Sequence, residues 1–129
     1  MAITHSTSVR NALGDTVTGA VDAGTTDAQG DLVFIDSSGP TDLVIFNLQD
    51  PAFSAASGGQ SSLQGTPLFA TAAASGTVDK FEIRNKNNSM VYTGTVTVTG
   101  GGGDIEVENT NINAGQSSAI NGHTYNASA

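Results

Sequence analysis

Residues 80–108 constrain the fold more than any other part of the chain. Strict alternation between apolar and polar side chains occurs in three runs, at 80–84, 92–99 and 104–108. Such alternation is typical of strands that place one face on a core and the other in water. A polar link (85–89) and a run of glycines (100–103) separate the three runs. The pattern predicts an antiparallel three-stranded meander with an outer face of Thr, Glu, Lys and Asp.

Large apolar side chains are scarce in this chain of 129 residues, whose length fits a single domain over residues 1–129. The hydrophobic fraction is 37%, much of it alanine, and there is no Trp. We therefore expect a thin core, with neighbouring subunits supplying part of the burial. The expected core residues are Leu32, Phe34, Val44, Phe46, Phe69, Phe81, Ile83, Val96, Val98, Ile105 and Val107.

Residues 6–22 are the one helical candidate. A narrow apolar stripe follows from the three- and four-residue spacing of Val9, Leu13, Val17 and Ala20 or Val21. Ser6 or Thr7 can cap the start of the helix, and Gly24 suits a left-handed residue after its end. The interior contains glycines and threonines that disfavour a helix. The helix is therefore expected to dock its stripe on its own sheet or on a neighbouring subunit.

Two apolar runs, 31–36 and 42–48, flank the turn sequence at 36–40. Asp in the first position and Gly in the fourth suit a type I turn, which predicts a β-hairpin. Both runs are continuously apolar, which is typical of strands covered on both faces.

Weaker strands are predicted at 63–74 and 117–125. The first contains Pro67, which cannot donate a ladder hydrogen bond and so favours an edge position. With the alternating runs and the hairpin, this makes seven or eight short strands. We predict a mainly β protein, an antiparallel β-sandwich or jelly roll over residues 31–125, with one short N-terminal helix at 6–22.

The charge and hydropathy of the chain exclude two classes of partner. Twelve acidic and four basic residues give a net charge of −8, whereas nucleic-acid binding requires a basic surface. No apolar run approaches the roughly 18 residues of a membrane span. The N-terminus lacks the basic and apolar regions of a signal peptide. We expect no nucleic acid and no membrane as partners, and a soluble protein made in a cytoplasm.

The residues that could carry chemistry are few. The two histidines, His5 and His123, lie in no nucleophile-elbow context and have no metal-ligand spacing. Both are expected to be surface or terminal polar residues. The chain has no cysteine, so thiolate metal sites and disulfides are excluded.

Acidic residues and glycines fit structural roles better than a site. An EF-hand order is absent from the loop that carries Asp22, Asp27 and Asp31, and helix-end and turn roles are expected there. The run 100–103 lacks the Lys-Ser/Thr of a phosphate-binding loop. Glu106 and Glu108 lie on one face of one strand, as exposed acids commonly do. We therefore predict no enzyme, no catalytic or cofactor-binding residue, no metal site and no cofactor.

A series of short motifs rich in Gly, Ala and Thr follows a fixed order along nearly the whole chain. In the first half these are residues 8–13, 22–24, 32–35 and 50–56. In the second half they are residues 74–77, 81–83, 94–96, 103–105 and 112–115. This order resembles a family of small virion structural proteins of tailed bacteriophages, encoded among head and tail morphogenesis genes.

The resemblance implies a β-rich, non-enzymatic capsid decoration or cement protein. Its expected partners are the major capsid protein and itself, as a homotrimer around local threefold axes, and its expected location is the virion, after synthesis in the host cytoplasm. Two alternatives remain: a tail or head-fibre component, or a host-surface carbohydrate-binding β-sandwich. Sugar binding usually needs exposed aromatic platforms, and Tyr92 and Tyr125 are expected to be too few and too buried for that.

Overall fold

In a computed structural model, which describes residues 3–127, the chain forms one helix and eleven strands. The helix is α1 (Thr7–Val21). The first six strands are β1 (Asp31–Asp36), β2 (Thr41–Asn47), β3 (Gln60–Ser62), β4 (Leu68–Thr71), β5 (Gly76–Thr77) and β6 (Lys80–Arg84). The others are β7 (Met90–Val98), β8 (Ile105–Val107), β9 (Asn111–Ile112), β10 (Ser117–Ile120) and β11 (Thr124–Asn126). The prediction of a mainly β protein with one N-terminal helix is confirmed.

A curled sheet forms the body of the molecule. Five strands are hydrogen-bonded in the order β2-β1-β6-β7-β8, and the predicted hairpin is the antiparallel pair β1–β2. Beside β2 lies the two-stranded ribbon β4–β10, where the Ala73 amide donates to the Leu43 carbonyl at 2.8 Å. The ribbon therefore continues the curl of the main sheet.

The predicted meander is correct for its first two strands and wrong for the third. β6 and β7 are antiparallel, with Phe81 opposite Gly94. β8, however, runs parallel to β7, with Val96 opposite Ile105. Parallel neighbours usually need a crossover of a dozen or more residues, whereas only residues 99–104 connect these two strands.

The glycine run makes this short parallel connection possible. The loop folds back over the Thr97 side chain, whose Oγ1 accepts the Gly103 amide at 3.0 Å. A Cβ on Gly101 would lie 2.7 Å from Thr97 atoms, so the close approach requires glycine. The Glu106 carboxylate then accepts the amides of Gly100 and Gly102 at 3.2 and 3.0 Å. The run therefore forms a return loop held by these hydrogen bonds, rather than the tight turn of the predicted antiparallel meander.

The central strand β1 is buried on both faces, as its continuous apolar run predicts. Leu32 and Phe34 belong to the main hydrophobic core, whereas Val33 and Ile35 are buried on the opposite face. Of the predicted core residues, the structure buries Leu32, Phe34, Val44, Phe46, Phe81, Ile83, Val96 and Ile105.

Three predicted core residues lie elsewhere. Phe69 is 69% exposed because strand alternation directs its neighbours Leu68 and Ala70 towards the core and leaves Phe69 outside. Val98 is 47% exposed at the end of β7 beside the return loop. Val107 is only partly buried and packs against the edge of the core.

The helix begins and ends close to the prediction but buries a different face. The Ser6 hydroxyl accepts the Val9 amide at 3.2 Å as the N-cap, and Gly24 has the expected positive φ. The buried helix residues are Gly14, Thr18 and Val21. Of the predicted stripe, only its end at Val21 therefore docks in the main core, and its first half does not.

Small and polar side chains determine which face of the helix contacts the rest of the chain. A Cβ on Gly14 would lie 3.4 Å from the Ala56 Cβ, so the helix is in van der Waals contact with the segment before β3 at this position. The polar side chains of one helix edge accept amides from that segment: Asn11 from Gly59 at 2.7 Å, Asp15 from Ala56 at 2.8 Å and Asp22 from Ala52 at 3.0 Å. Val9 and Leu13 are left 45% and 41% exposed.

Two isoleucines in the sheet provide a matched test of this core. Ile83 on β6 is fully buried, whereas Ile45 on β2 is 44% exposed. We expect Ile83→Ala to lower the free energy of unfolding by about 2–5 kcal/mol through lost burial and a residual cavity. Ile45→Ala should cost less than about 1 kcal/mol. Denaturant titration measures both, and equal losses would contradict the assigned register.

Candidate functional site

A small cleft brings together aromatic and polar residues from β7, the loop before β8 and the end of the chain. It has a volume of about 240 Å³. Its lining comprises Phe81, Tyr92, Thr93, Gly94, Asp104, His123, Thr124, Tyr125 and Asn126. The cross-strand position of Gly94 is essential to its shape, because a Cβ there would lie 2.6 Å from the Phe81 ring.

A tyrosine–histidine hydrogen bond organises the cleft. The Tyr92 hydroxyl and His123 Nε2 are 2.8 Å apart. The His123 ring lies edge-on to the Phe81 ring, with centroids 5.2 Å apart, and the Tyr125 ring lies 5.2 Å from that of Tyr92. The expectation that His123 is a surface residue is therefore wrong, since it is held in an aromatic cluster.

Burial keeps both partners of this hydrogen bond neutral. Desolvation raises the pKa of Tyr92 and lowers the pKa of His123. His123 Nδ1 is buried, and Asp104 beside the ring raises the pKa of His123 against the larger effect of burial. The neutral tyrosine and the neutral histidine hold each other's rings in position through this hydrogen bond.

The cleft also carries polar groups along one side. Asp104 lies in the loop before β8, and its Oδ2 accepts the Thr95 amide and hydroxyl at 2.9 and 3.2 Å. Asn126 and Thr124 border the opposite side. Sequence reasoning missed this arrangement because Tyr92 and His123 are far apart in the chain and share no local pattern. The alternation in β7 did place Tyr92 on the inward face, which was the available signal.

The acidic loop residues have structural positions. Asp22 accepts the Ala52 amide at the end of the helix, and Asp31 begins β1. Burial raises the pKa of Asp22 and of Asp31, and the charge of Asp27 raises the pKa of Asp31 further. Within residues 3–127, His, Cys, Asp and Glu form no group of three that could hold a metal ion.

Three of the four basic side chains form ion pairs within the chain. Arg84 binds Asp42 through two nitrogens, at 2.9 and 3.1 Å, and its Nε lies 3.1 Å from Glu82. Lys80 lies 3.8 Å from Glu82, and Lys86 lies 2.6 Å from Asp50. Arg10 donates to the Ala127 carbonyl at 3.4 Å, which is a neutral partner. The charge that remains available to a partner is therefore predominantly acidic.

Exposed apolar side chains form a second candidate surface on the helix. Val9 and Leu13 lie four residues apart and so share a face, with the exposed Ile3 just before the helix. We call this exposed surface the helix stripe (Ile3, Val9 and Leu13); it combines the first two residues of the predicted stripe with Ile3, which was not part of the prediction. The single helix of the described residues is not long and apolar enough to cross a membrane.

The cleft predicts a pH dependence of stability. The pKa of His123 lies below its ordinary value of 6.5 in the folded state, so between the two values the unfolded chain binds a proton that the folded chain does not. The contribution of His123 to the free energy of unfolding is therefore complete above about pH 6.5 and is lost as the pH drops through the folded pKa. In urea titrations at pH 7 and pH 5, His123→Gln should show a smaller loss than the wild type. An identical loss in both proteins would mean that the ring is not buried as described.

Comparisons with known proteins returned no relative. A scan of protein-family models found no match, and searches of curated proteins and of solved structures likewise found none.

Proposed function

We propose that this protein is a structural component of a bacteriophage virion, a decoration or cement protein built on a jelly-roll-like β fold. The observation that carries the proposal is the helix stripe, which the chain leaves exposed while it buries Gly14, Thr18 and Val21 of the same helix. An amphipathic helix normally buries its apolar face. Here the first half of that face is available to a neighbouring subunit.

The charge distribution supports a protein present in many copies. Three of the four basic side chains form ion pairs within the chain, and the net charge is −8. Such a surface favours solubility and disfavours nonspecific contacts with nucleic acid.

The partners follow from the same surface. The stripe is narrow, and a contact built on it alone buries less area than stable interfaces require. We propose that it contributes to contacts with the major capsid protein and with other copies of the chain, arranged as a homotrimer around local threefold axes of the shell. Symmetry repeats a small contact and so increases its total effect.

Leu13→Asp tests this proposal. Because Leu13 is 41% exposed in the free chain, the variant should fold with a melting temperature close to that of the wild type. Binding to particles made without the protein should be lost, because an unpaired charge would be buried in the contact. Ala12→Asp, one position earlier on a different side of the helix, is the matched control and should bind normally.

Two measurements follow from the same particles. Particles that lack the protein should keep their shape and release DNA at a lower temperature, and added wild-type protein should restore resistance with saturation. Normal incorporation of Leu13→Asp would refute the role of the stripe. Unchanged heat resistance together with failure to adsorb to host cells would favour a tail or head-fibre component.

A second candidate, recognition of a neutral sugar, is favoured by the cleft. The half-buried Tyr125 ring lies beside Asp104 and Asn126 in a space of about 240 Å³. An apolar ring face with carboxylate and amide groups beside it can pack against a sugar ring and accept bonds from its hydroxyls.

This candidate is tested by titrating the protein with a panel of methyl monosaccharides. The readout is the change in the NMR chemical shifts of the Tyr125 and His123 rings. Tyr125→Ala should abolish any saturable shifts of the His123 ring, whereas Tyr125→Phe should keep them because the ring remains. If no sugar of the panel gives saturable shifts in the wild type, this second candidate is refuted and the structural role is unaffected.

A further inference from the structure

The curl of the sheet leaves an opening between two strand edges. In the described residues, β8 pairs with β7 and β10 pairs with β4, and no further strand pairs with either. A groove of about 450 Å³ lies between them. Its two sides include Glu106, Val107 and Glu108 from the β8 edge and Ser117 and Ala119 from β10.

The backbone groups of both edges face this groove. Gln116 O accepts the Ala72 amide, and antiparallel strands exchange bonds at alternate residues. The amides and carbonyls of Ser117 and Ala119 therefore point away from β4. On the other side, Val107 O accepts the Thr99 amide, so the backbone groups of Glu106 point away from β7. The groove presents donors and acceptors on both walls.

The floor of the groove is apolar. Phe34 and Ile112, both members of the buried core, line it. Val107 on one wall packs against the same core. A strand inserted here would alternate, with one set of side chains on this floor and the other set in solvent. The inward positions suit small apolar side chains.

The acidic residues at the rim of the groove favour an occupant with positive charge. Glu106 and Glu108 are exposed along the β8 edge, whereas three of the four basic side chains already form ion pairs with carboxylates of the same chain. A second copy therefore offers little free positive charge to this rim. A segment of another protein with outward-facing Lys or Arg complements it.

We propose that this groove accepts an extended segment of a partner protein, with alternating small apolar and basic residues, as an added strand between β8 and β10. Main-chain hydrogen bonds to both edges would hold the segment, and the acidic rim would select its charge. The inference concerns the groove alone and does not depend on the proposed role in a virion.

A synthetic peptide of seven residues, in which Lys alternates with Val, is a suitable probe. Amide hydrogen exchange measured by NMR should show that the peptide slows exchange at Glu106, Ser117 and Ala119 by about tenfold or more. A peptide with Glu in place of each Lys should give no protection. Protection elsewhere only, or equal protection by both peptides, would overturn the proposal.

Two variants separate the contributions of the backbone and the charge. Ala119→Pro removes an amide that faces the groove and is free of the β4 ladder, so the fold should persist and binding of the Lys peptide should weaken by about tenfold or more. Glu108→Lys should weaken the Lys peptide, whereas Asp27→Lys, the same charge change in a distant exposed loop, should not. Should either the proline or the Glu108 variant bind the Lys peptide like the wild type, the assigned binding mode is wrong.

A concentration series of the protein alone tests whether a second copy occupies the groove. If these amides become protected as the concentration of the protein alone is raised, a second copy occupies the groove. That result would overturn the assignment of a basic partner segment.

Discussion

The surface that this protein offers to others depends on how its helix is attached. Asn11, Asp15 and Asp22 accept three amides from the segment before β3, and Gly14 packs beside Ala56. Two of these acceptors are carboxylates, and charge-assisted bonds to amides are stronger than bonds between neutral groups. They fix the rotation of the helix about its axis. The apolar stripe that could have covered a sheet consequently points outwards.

A second constraint acts at the other end of the main sheet. The return loop over Thr97 brings β8 back in parallel beside β7, and the bonds from Glu106 to the loop amides keep it there. Among the described residues β8 is the last strand of this sheet, and its outer edge lines the groove beside β10.

The sequence predicted those parts of the fold in which side-chain period and local structure agree. The hairpin of β1 and β2, the pair β6–β7 and the N-cap at Ser6 all follow from local patterns. The buried helix face could not be predicted by apolar spacing, because small residues and polar acceptors, rather than the stripe, make the contact. The cleft could not be predicted either, because Tyr92 and His123 come together only in the folded chain and no local pattern relates them. The parallel direction of β8 could not be predicted, because its connection to β7 is shorter than the connections between parallel strands usually are.

The internal ion pairs of three of the four basic side chains have a consequence for how copies of this protein meet. With Lys80, Arg84 and Lys86 already engaged by acids of the same chain, two approaching molecules present negative charge to each other. Their repulsion acts over a Debye length of about 10 Å at 0.1 M salt and shrinks as salt is added. Self-association is therefore governed by ionic strength in the opposite sense to that of proteins joined by ion pairs. Dilute buffer keeps the molecules apart, and salt lets apolar contacts take over.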